Sequence, residues 1–437
     1  MLAILISIAL ASLDTAIANT ALPAIANSLH TTPAASVWII NAYQLAAAAT
    51  ILAFASFGGV IGHRKVYLFG LVLFTIASAL CAMSTTLTQL TLARVLQGVG
   101  GSAIMSVNAA LIFSLFPPEK LGKGMGLNAL VVGMSFAAGP TVASLILSVA
   151  NWPWLFGVNL PIGLIALAMA IPSLPHTPPN GQRFAWGTAV LSMVTFGSLI
   201  YALGEGAQLA GAPVIGLALL VCVGAGFLMI RREAGHPAPL FPLDLLKRPM
   251  FALSAVTAIC SFATQGLAFV SLPFFFETVL GRDPVQTGYL MTPWSVVVAL
   301  IAPFAGRLSD RYPPGLLGGI GLGVLSLGML SLAMLPSDPS ALEIGVRMVI
   351  CGLGFGFFQS PNQKALMTSA PRERSSGASG TIATARLIGQ STGAALVALS
   401  FGISSHEGPI LALYIGAGFA AAACLASFSR LVARSGV

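Results

Sequence analysis

Ionisable groups are scarce in this chain and they are unevenly placed. Twelve acidic and twenty basic residues are spread over 437 positions, and 57% of the residues are hydrophobic. Asp14 is the only carboxylate that falls in the middle of a long apolar stretch. Placing an ionised acid at the centre of a bilayer costs roughly 2.5–3.5 kcal/mol on insertion scales, so such a group faces a cavity or a partner. A carboxylic acid is held protonated by apolar surroundings and ionised by a neighbouring cation. A conformational change that exchanges the two can therefore load and release a proton, which makes Asp14 the leading proton site. The alternative is a fixed ion pair with an arginine from another segment. Arg94 is the natural partner, either coupled to Asp14 in proton exchange or joined to it in a packing pair. Arg386 is a second embedded cation, with no acid in its own segment, and it meets either a substrate or backbone carbonyls. Arg347 lies nearer a segment end and can snorkel, and Glu205 and Glu277, at segment ends, are expected to be solvated.

Polar and aromatic groups inside otherwise apolar stretches are candidates to line a cavity: Asn19, Trp38, Asn41, Tyr43, Gln44, Asn108, Trp294, Gln359 and Asn362. Aromatic faces and amide dipoles suit large hydrophobic molecules or cations. The plainer reading is an interfacial Trp38 and amides that bond a neighbouring helix. Gly133, Gly139 and Pro140 suggest a hinge, since glycine removes bulk and proline removes a backbone donor.

Several chemistries lack their residues. There is no phosphate-binding Gly-x-x-x-x-Gly-Lys-Ser/Thr, no zinc-binding His-Glu-x-x-His and no nucleophile elbow, so neither an ATP motor nor an enzyme is indicated. The five cysteines are scattered through apolar stretches without metal or redox spacing, and no cofactor is expected.

These side chains need helices long enough to cross a bilayer, about 20 apolar residues each. No Asp, Glu, Lys or Arg occurs from Thr15 to His63 or from Gly124 to Gln182, room for two spans in each case. The runs are continuous instead of alternating, which indicates helices and excludes an outer-membrane barrel. Hydropathy predicts fourteen spans, near 2–28, 37–60, 67–84, 88–116, 125–149, 152–174, 186–204, 212–230, 251–276, 286–305, 316–335, 341–363, 381–402 and 409–429. The first reads as a retained span and not a cleaved leader, because it carries Asp14 and lacks a basic flank; the missing basic head suggests a natural start further upstream.

When the connections are assigned alternately to two sides, nearly all Lys and Arg collect on one, from Arg64 and Lys65 through Arg231, Arg232 and Arg307 to Arg430 and Arg434. The other receives Arg282, with Arg347 near its edge. That bias places the basic loops and both termini in the cytoplasm. The net charge of +8 is thus topological, and no nucleic-acid partner is implied.

A shift of 253 positions lays Arg94 on Arg347, Gly101 on Gly354, Pro118 on Pro371 and Gly124 on Gly377. Spans 1–6 and 9–14 therefore read as two related six-helix bundles, residues 1–175 and 246–437. Residues 176–245 hold Pro-rich linkers and two inserted helices. Duplicated bundles suit alternating access at a site between them.

Leu13-Asp14-Thr15-Ala16-Ile17-Ala18-Asn19-Thr20-Ala21-Leu22-Pro23, Leu92-Ala93-Arg94-Val95-Leu96-Gln97-Gly98-Val99-Gly100, Gly133 with Gly139-Pro140, and Trp152 to Gly163 together resemble the major facilitator superfamily. The likeness is to its fourteen-helix drug:proton antiporter branch, the quaternary-ammonium efflux type, and it covers the whole chain. The resemblance implies an all-α membrane fold and proton-driven efflux of lipophilic or cationic small molecules by a monomer in the bacterial inner membrane. It associates the Arg94 segment with proton coupling. The same scaffold also serves symporters and uniporters of metabolites. The family's Asp-Arg pair between spans 2 and 3 is replaced by Gly59 and Val60 ahead of Arg64 and Lys65. The related loop Gly306-Arg307-Leu308-Ser309-Asp310-Arg311 keeps its acid, so gating is expected to lean on Arg307, Asp310 and Arg311.

Overall fold

The computed structural model describes residues 1–115, 121–176, 186–207, 212–233, 243–309, 311–370, 375–404 and 407–434, and among them there is no strand. The chain runs through α1 (Leu2–Thr20), α2 (Leu22–Ser28), α3 (Pro33–Ser36), α4 (Trp38–Ile61), α5 (His63–Met83), α6 (Leu87–Leu115), α7 (Leu121–Val149), α8 (Pro153–Gly157) and α9 (Asn159–Ser173). It continues through α10 (Trp186–Ala207), α11 (Ala212–Glu233), α12 (Leu243–Leu246) and α13 (Pro249–Phe274) with a π-helical turn at Phe275–Val279. Then come α14 (Pro284–Leu308), α15 (Pro314–Ala333), α16 (Ala341–Ser369), α17 (Ser375–Ile403) and α18 (Gly408–Arg434). Twelve helical stretches among the described residues are long and apolar enough to cross a membrane, thirteen with the bent pair in α7, and Trp186–Leu199 is a shorter apolar helix. These overlap the expected spans in sequence and are consistent with fourteen, twelve or thirteen of them meeting the bilayer length. In a bilayer each must satisfy its own backbone. Hydroxyls join that economy by bonding back to the preceding turn, as Ser7 donates to Ala3 O at 3.0 Å and Thr15 to Ala11 O at 3.0 Å.

Two compact units emerge, Met1–Gly206 with Ala210–Ala234, and Ala207–Leu209 with Gly235–Val437. The inserted helices α10 and α11 thus belong with the first unit. Inside it, Gly70 and Gly100 bring α5 and α6 into backbone contact: a Cβ on either would stand 2.8–2.9 Å from the other's carbonyl oxygen. The second unit repeats the device between α15 and α16, where Gly321 and Gly354 face each other at 2.6–2.7 Å. Gly98 likewise sits against the carbonyl of Tyr43 at 2.3 Å, and Gly352 against that of Trp294 at 2.5 Å. Small residues allow this because bilayer helices associate through close packing. The matching glycines, Gly98 with Gly352 and Gly100 with Gly354, stand 254 positions apart, one more than the sequence shift, so the seams recur without reproducing its register.

Two breaks matter for the site. Pro23 cannot donate to the preceding turn, and α1 gives way to α2 at Ala21. Helix α7 bends by 40° between Leu130–Phe136 and Ala138–Val149, one turn before Pro140, whose missing N–H leaves the carbonyl of Phe136 without its helical donor. Gly139 meets α1 there, a Cβ standing only 2.2 Å from that of Ala16. Gly133 has nothing within 4 Å of a Cβ position, so close approach is not its role.

Candidate functional site

Asp14 is buried within the first unit, on α1, with 1% of its surface exposed, and Arg94 on α6 matches it. Arg94 Nη1 donates to Asp14 Oδ2 at 2.6 Å. Two amides complete the carboxylate: Gln97 Nε2 donates to Oδ1 at 2.8 Å and Asn159 Nδ2 to the same oxygen at 2.6 Å. Gln97 lies one turn beyond Arg94 and accepts from its Nη1 at 2.5 Å, as i, i+3 spacing on a helix permits. Asn159 is the first residue of α9, just past the break that ends α8. Ser78 of α5 accepts from Gln97 Nε2 at 2.9 Å and in turn donates to Phe74 O at 2.8 Å.

The guanidinium is enclosed on its other sides. Its Nε donates to Ile39 O at 3.2 Å, its carbon lies 4.4 Å from the centre of the Tyr43 ring, and Phe156 covers it at 5.6 Å. Rings at that distance stabilise a desolvated cation. The pair is therefore a closed cluster drawn from six helices, α1, α4, α5, α6, α8 and α9. Truncating one member of such a buried pair costs about 3–5 kcal/mol, because the other charge is stranded. A proton arriving on Asp14 cancels one charge without removing an atom.

The remaining sequence candidates scatter. Asn19 and Asn41 are buried, and the Oδ1 of each has no hydrogen-bond donor in the structure. Gln44 is buried on the same helix as Asn41, and Trp38 is half-buried with its ring 6.3 Å from Tyr201 of α10. Asn108 donates to Asn128 Oδ1 at 3.0 Å, bonding α6 to α7. Arg64 reaches His176 at 2.7 Å and the carbonyl of Ile171, while Lys65 is exposed.

In the second unit Trp294 is a core residue, edge-on to Phe269 at 5.5 Å, and not a cavity wall. It belongs to the same buried cluster as Met291, Met348 and Phe355, and its indole Nε1 is buried without an acceptor in the structure. Asn362 bonds its neighbours, donating to Ser254 O at 3.1 Å. Gln359 and Arg386 are half-buried on α16 and α17, and Arg307 and Arg311 are exposed. Asp310 lies outside the described residues.

Four residues escaped the sequence reading. Gln97 and Asn159 sit inside motifs already singled out, and their amides were the available signal. Arg430, counted with the tail, is 1% exposed: its Nη1 donates to Asn362 Oδ1 at 2.7 Å and to Ser254 Oγ at 3.0 Å, and its Nη2 donates to Ser427 Oγ. Glu277, expected in solvent, lies in the π-helical turn with Oε1 buried and without a donor in the structure.

Membrane-length helices in two compact units, the first of them burying an ion pair, fit a membrane transporter. The chain belongs to the Major Facilitator Superfamily, which residues 4–394 match. It is 49% identical to YebQ of Escherichia coli (strain K12), an uncharacterized transporter, over 99% of this chain and 95% of that protein. It is 29% identical to the riboflavin transporter RibZ of Clostridioides difficile (strain 630), over 92% of this chain and 87% of that one. Multidrug resistance protein Stp of Mycobacterium tuberculosis is 30% identical over 88% of this chain and 72% of its own length. Among solved structures, a bacterial homologue of the lysosomal transporter Spinster superposes with a TM-score of 0.70 at 14% identity, covering 99% and 96% of the two chains, and shares the fold.

Proposed function

We propose that this protein exports lipophilic or cationic small molecules in exchange for protons, by alternating access, with the Asp14–Arg94 pair as the proton switch. The observation that carries the reading is that pair: a carboxylate and a guanidinium, each 1% exposed, 2.6 Å apart inside a membrane bundle. While Asp14 is ionised the cluster holds α1, α6 and α9 together. Protonation removes the attraction that closes it, and Arg94 then turns to Gln97, Ile39 O and the Tyr43 face. A proton crossing 100 mV releases about 2.3 kcal/mol, comparable with the cost of loosening a buried pair. One proton can therefore sustain roughly a fifty-fold gradient of a neutral exported solute, whereas one-for-one exchange with a monovalent cation moves no net charge and draws on the pH difference alone.

Asn19 and Asn41 support a cationic substrate, since each offers an amide oxygen that lacks a donor in the structure. The resemblance to Stp supports drug export. The protein would act as a monomer with fourteen spans in the bacterial inner membrane, both termini cytoplasmic, Gly139 and Pro140 serving as a hinge and Arg307, Asp310 and Arg311 as the cytoplasmic gate.

The test is transport in vesicles holding the purified protein. An inside-acid gradient should move a fluorescent lipophilic cation, and Asp14→Asn should abolish the response. The paired variant Asp14→Asn with Arg94→Gln, which strands no charge, should remain folded and equally uncoupled. Unaltered proton-driven transport in either would reject the role of Asp14.

The likeness to RibZ favours a second reading, movement of a small metabolite by symport or uniport. In that case flavins, and not cations, would cross in the same vesicles, down the proton gradient or without it.

A further inference from the structure

The inserted helices carry a feature that proton coupling does not use. An open groove of about 770 Å³ is lined by Trp186, Gly187, Val190 and Leu191 of α10 and by Leu228, Arg231 and Arg232 of α11. Its walls are apolar and face outward: Trp186 is 67% exposed, and Val190 and Leu228 are both more than half exposed. In a membrane-spanning unit such a surface contacts lipid, so acyl chains fill the groove unless another protein covers it. Two guanidiniums close one end, and neither forms an ion pair among the described residues. Arg231 lies over the Phe227 ring at 4.7 Å. Arg232 lies across Gly187, its Nη1 1.8 Å from where a Cβ would stand. Glycine at that position is what lets the cation reach over from α11 to α10. Trp186 stands at the same end, where an amphipathic ring marks the border between hydrocarbon and headgroups.

We propose that this groove binds an anionic phospholipid, its phosphate held by Arg231 and Arg232 and one acyl chain laid along Val190, Leu191 and Leu228. Charge and shape each select that occupant. A guanidinium pair matches phosphate oxygens in a fork geometry that a zwitterionic headgroup satisfies less well, because its ammonium is repelled. The apolar length beyond the arginines accepts a chain and excludes free phosphate. Basic pockets between membrane helices on the cytoplasmic side bind anionic lipid headgroups in this manner, and the charge bias assigns both arginines to that side.

Native mass spectrometry of the purified full-length protein in a mild detergent tests this, with phosphatidylglycerol, cardiolipin or phosphatidylethanolamine added. Wild type should retain the two anionic lipids at least several-fold more than phosphatidylethanolamine. Arg231→Gln with Arg232→Gln should erase that preference, whereas Lys247→Gln, which removes an exposed charge elsewhere, should preserve it. Gly187→Leu keeps both charges but fills the groove floor, and it should lower retention of both anionic lipids. Inorganic phosphate alone should neither bind nor compete. Equal retention of all three lipids by wild type would overturn the proposal, as would unchanged preference in the double variant or displacement by inorganic phosphate. A dimer in place of bound lipid, lost in Gly187→Leu, would equally overturn it and make the groove an interface.

Discussion

Two buried arginines, one in each unit, are held by opposite chemistry. Arg94 faces a carboxylate with two amides behind it, whereas Arg430 faces two hydroxyls and an amide oxygen, with no ion pair among the described residues. Arg347, the counterpart of Arg94 in the internal repeat, bonds Glu343 on its own helix and the carbonyl of Ser331, and is partly exposed. Guanidinium remains charged throughout the physiological range while a carboxylic acid does not. The first unit therefore contains a buried charge that a proton can cancel, and the cluster around Arg430 does not. The two units share glycine-packed helix pairs and differ in their polar interiors.

The sharpest way to break this comparison is to remove one charge at a time. Asp14→Asn strands Arg94, which cannot shed its proton, and should cost about 3–5 kcal/mol, seen as a lower unfolding midpoint in detergent. Arg94→Met should cost less, because Asp14 can take up a proton and become neutral. Equal deficits would place the two members on the same footing.

The shared scaffold predicts matched losses from Gly100→Ala and Gly354→Ala, about 1–3 kcal/mol each, since a Cβ must push apart backbones already in contact. A large loss in one unit only would show that the two glycine seams are not equivalent. Arg430→Met should cost about 1–2 kcal/mol, because Ser254 and Ser427 keep their own backbone acceptors at 2.7 and 2.9 Å. Proton-driven transport should not change in that variant. The smallest effect is expected at Glu277, where Glu277→Gln replaces a buried, unbonded carboxyl oxygen and should raise the unfolding midpoint slightly, by up to about 1 kcal/mol.

Most of the architecture was readable beforehand, since an apolar run of bilayer length admits few other structures. The site was half readable. Asp14 and Arg94 stood out because charge is costly in an apolar stretch, but nothing in their spacing named Gln97 and Asn159 as the groups that finish the carboxylate. The lining candidates divided unevenly for the same reason. Asn41 retains a free acceptor, whereas Asn362 was already committed to Ser254 and Arg430, and Trp294 to an aromatic core.

The sequence alone determined that the chain is helical, that its helices cross a membrane and that Asp14 needs a partner. Each of these follows from the cost of exposing backbone or charge to hydrocarbon, which residue type and run length already express. Tertiary structure decided which polar groups meet, that Arg430 lies inside and that Glu277 turns inward. Rotation and register between helices set those outcomes, and they depend on contacts such as Gly98 against the Tyr43 carbonyl and Gly139 against Ala16, made between residues far apart in the chain.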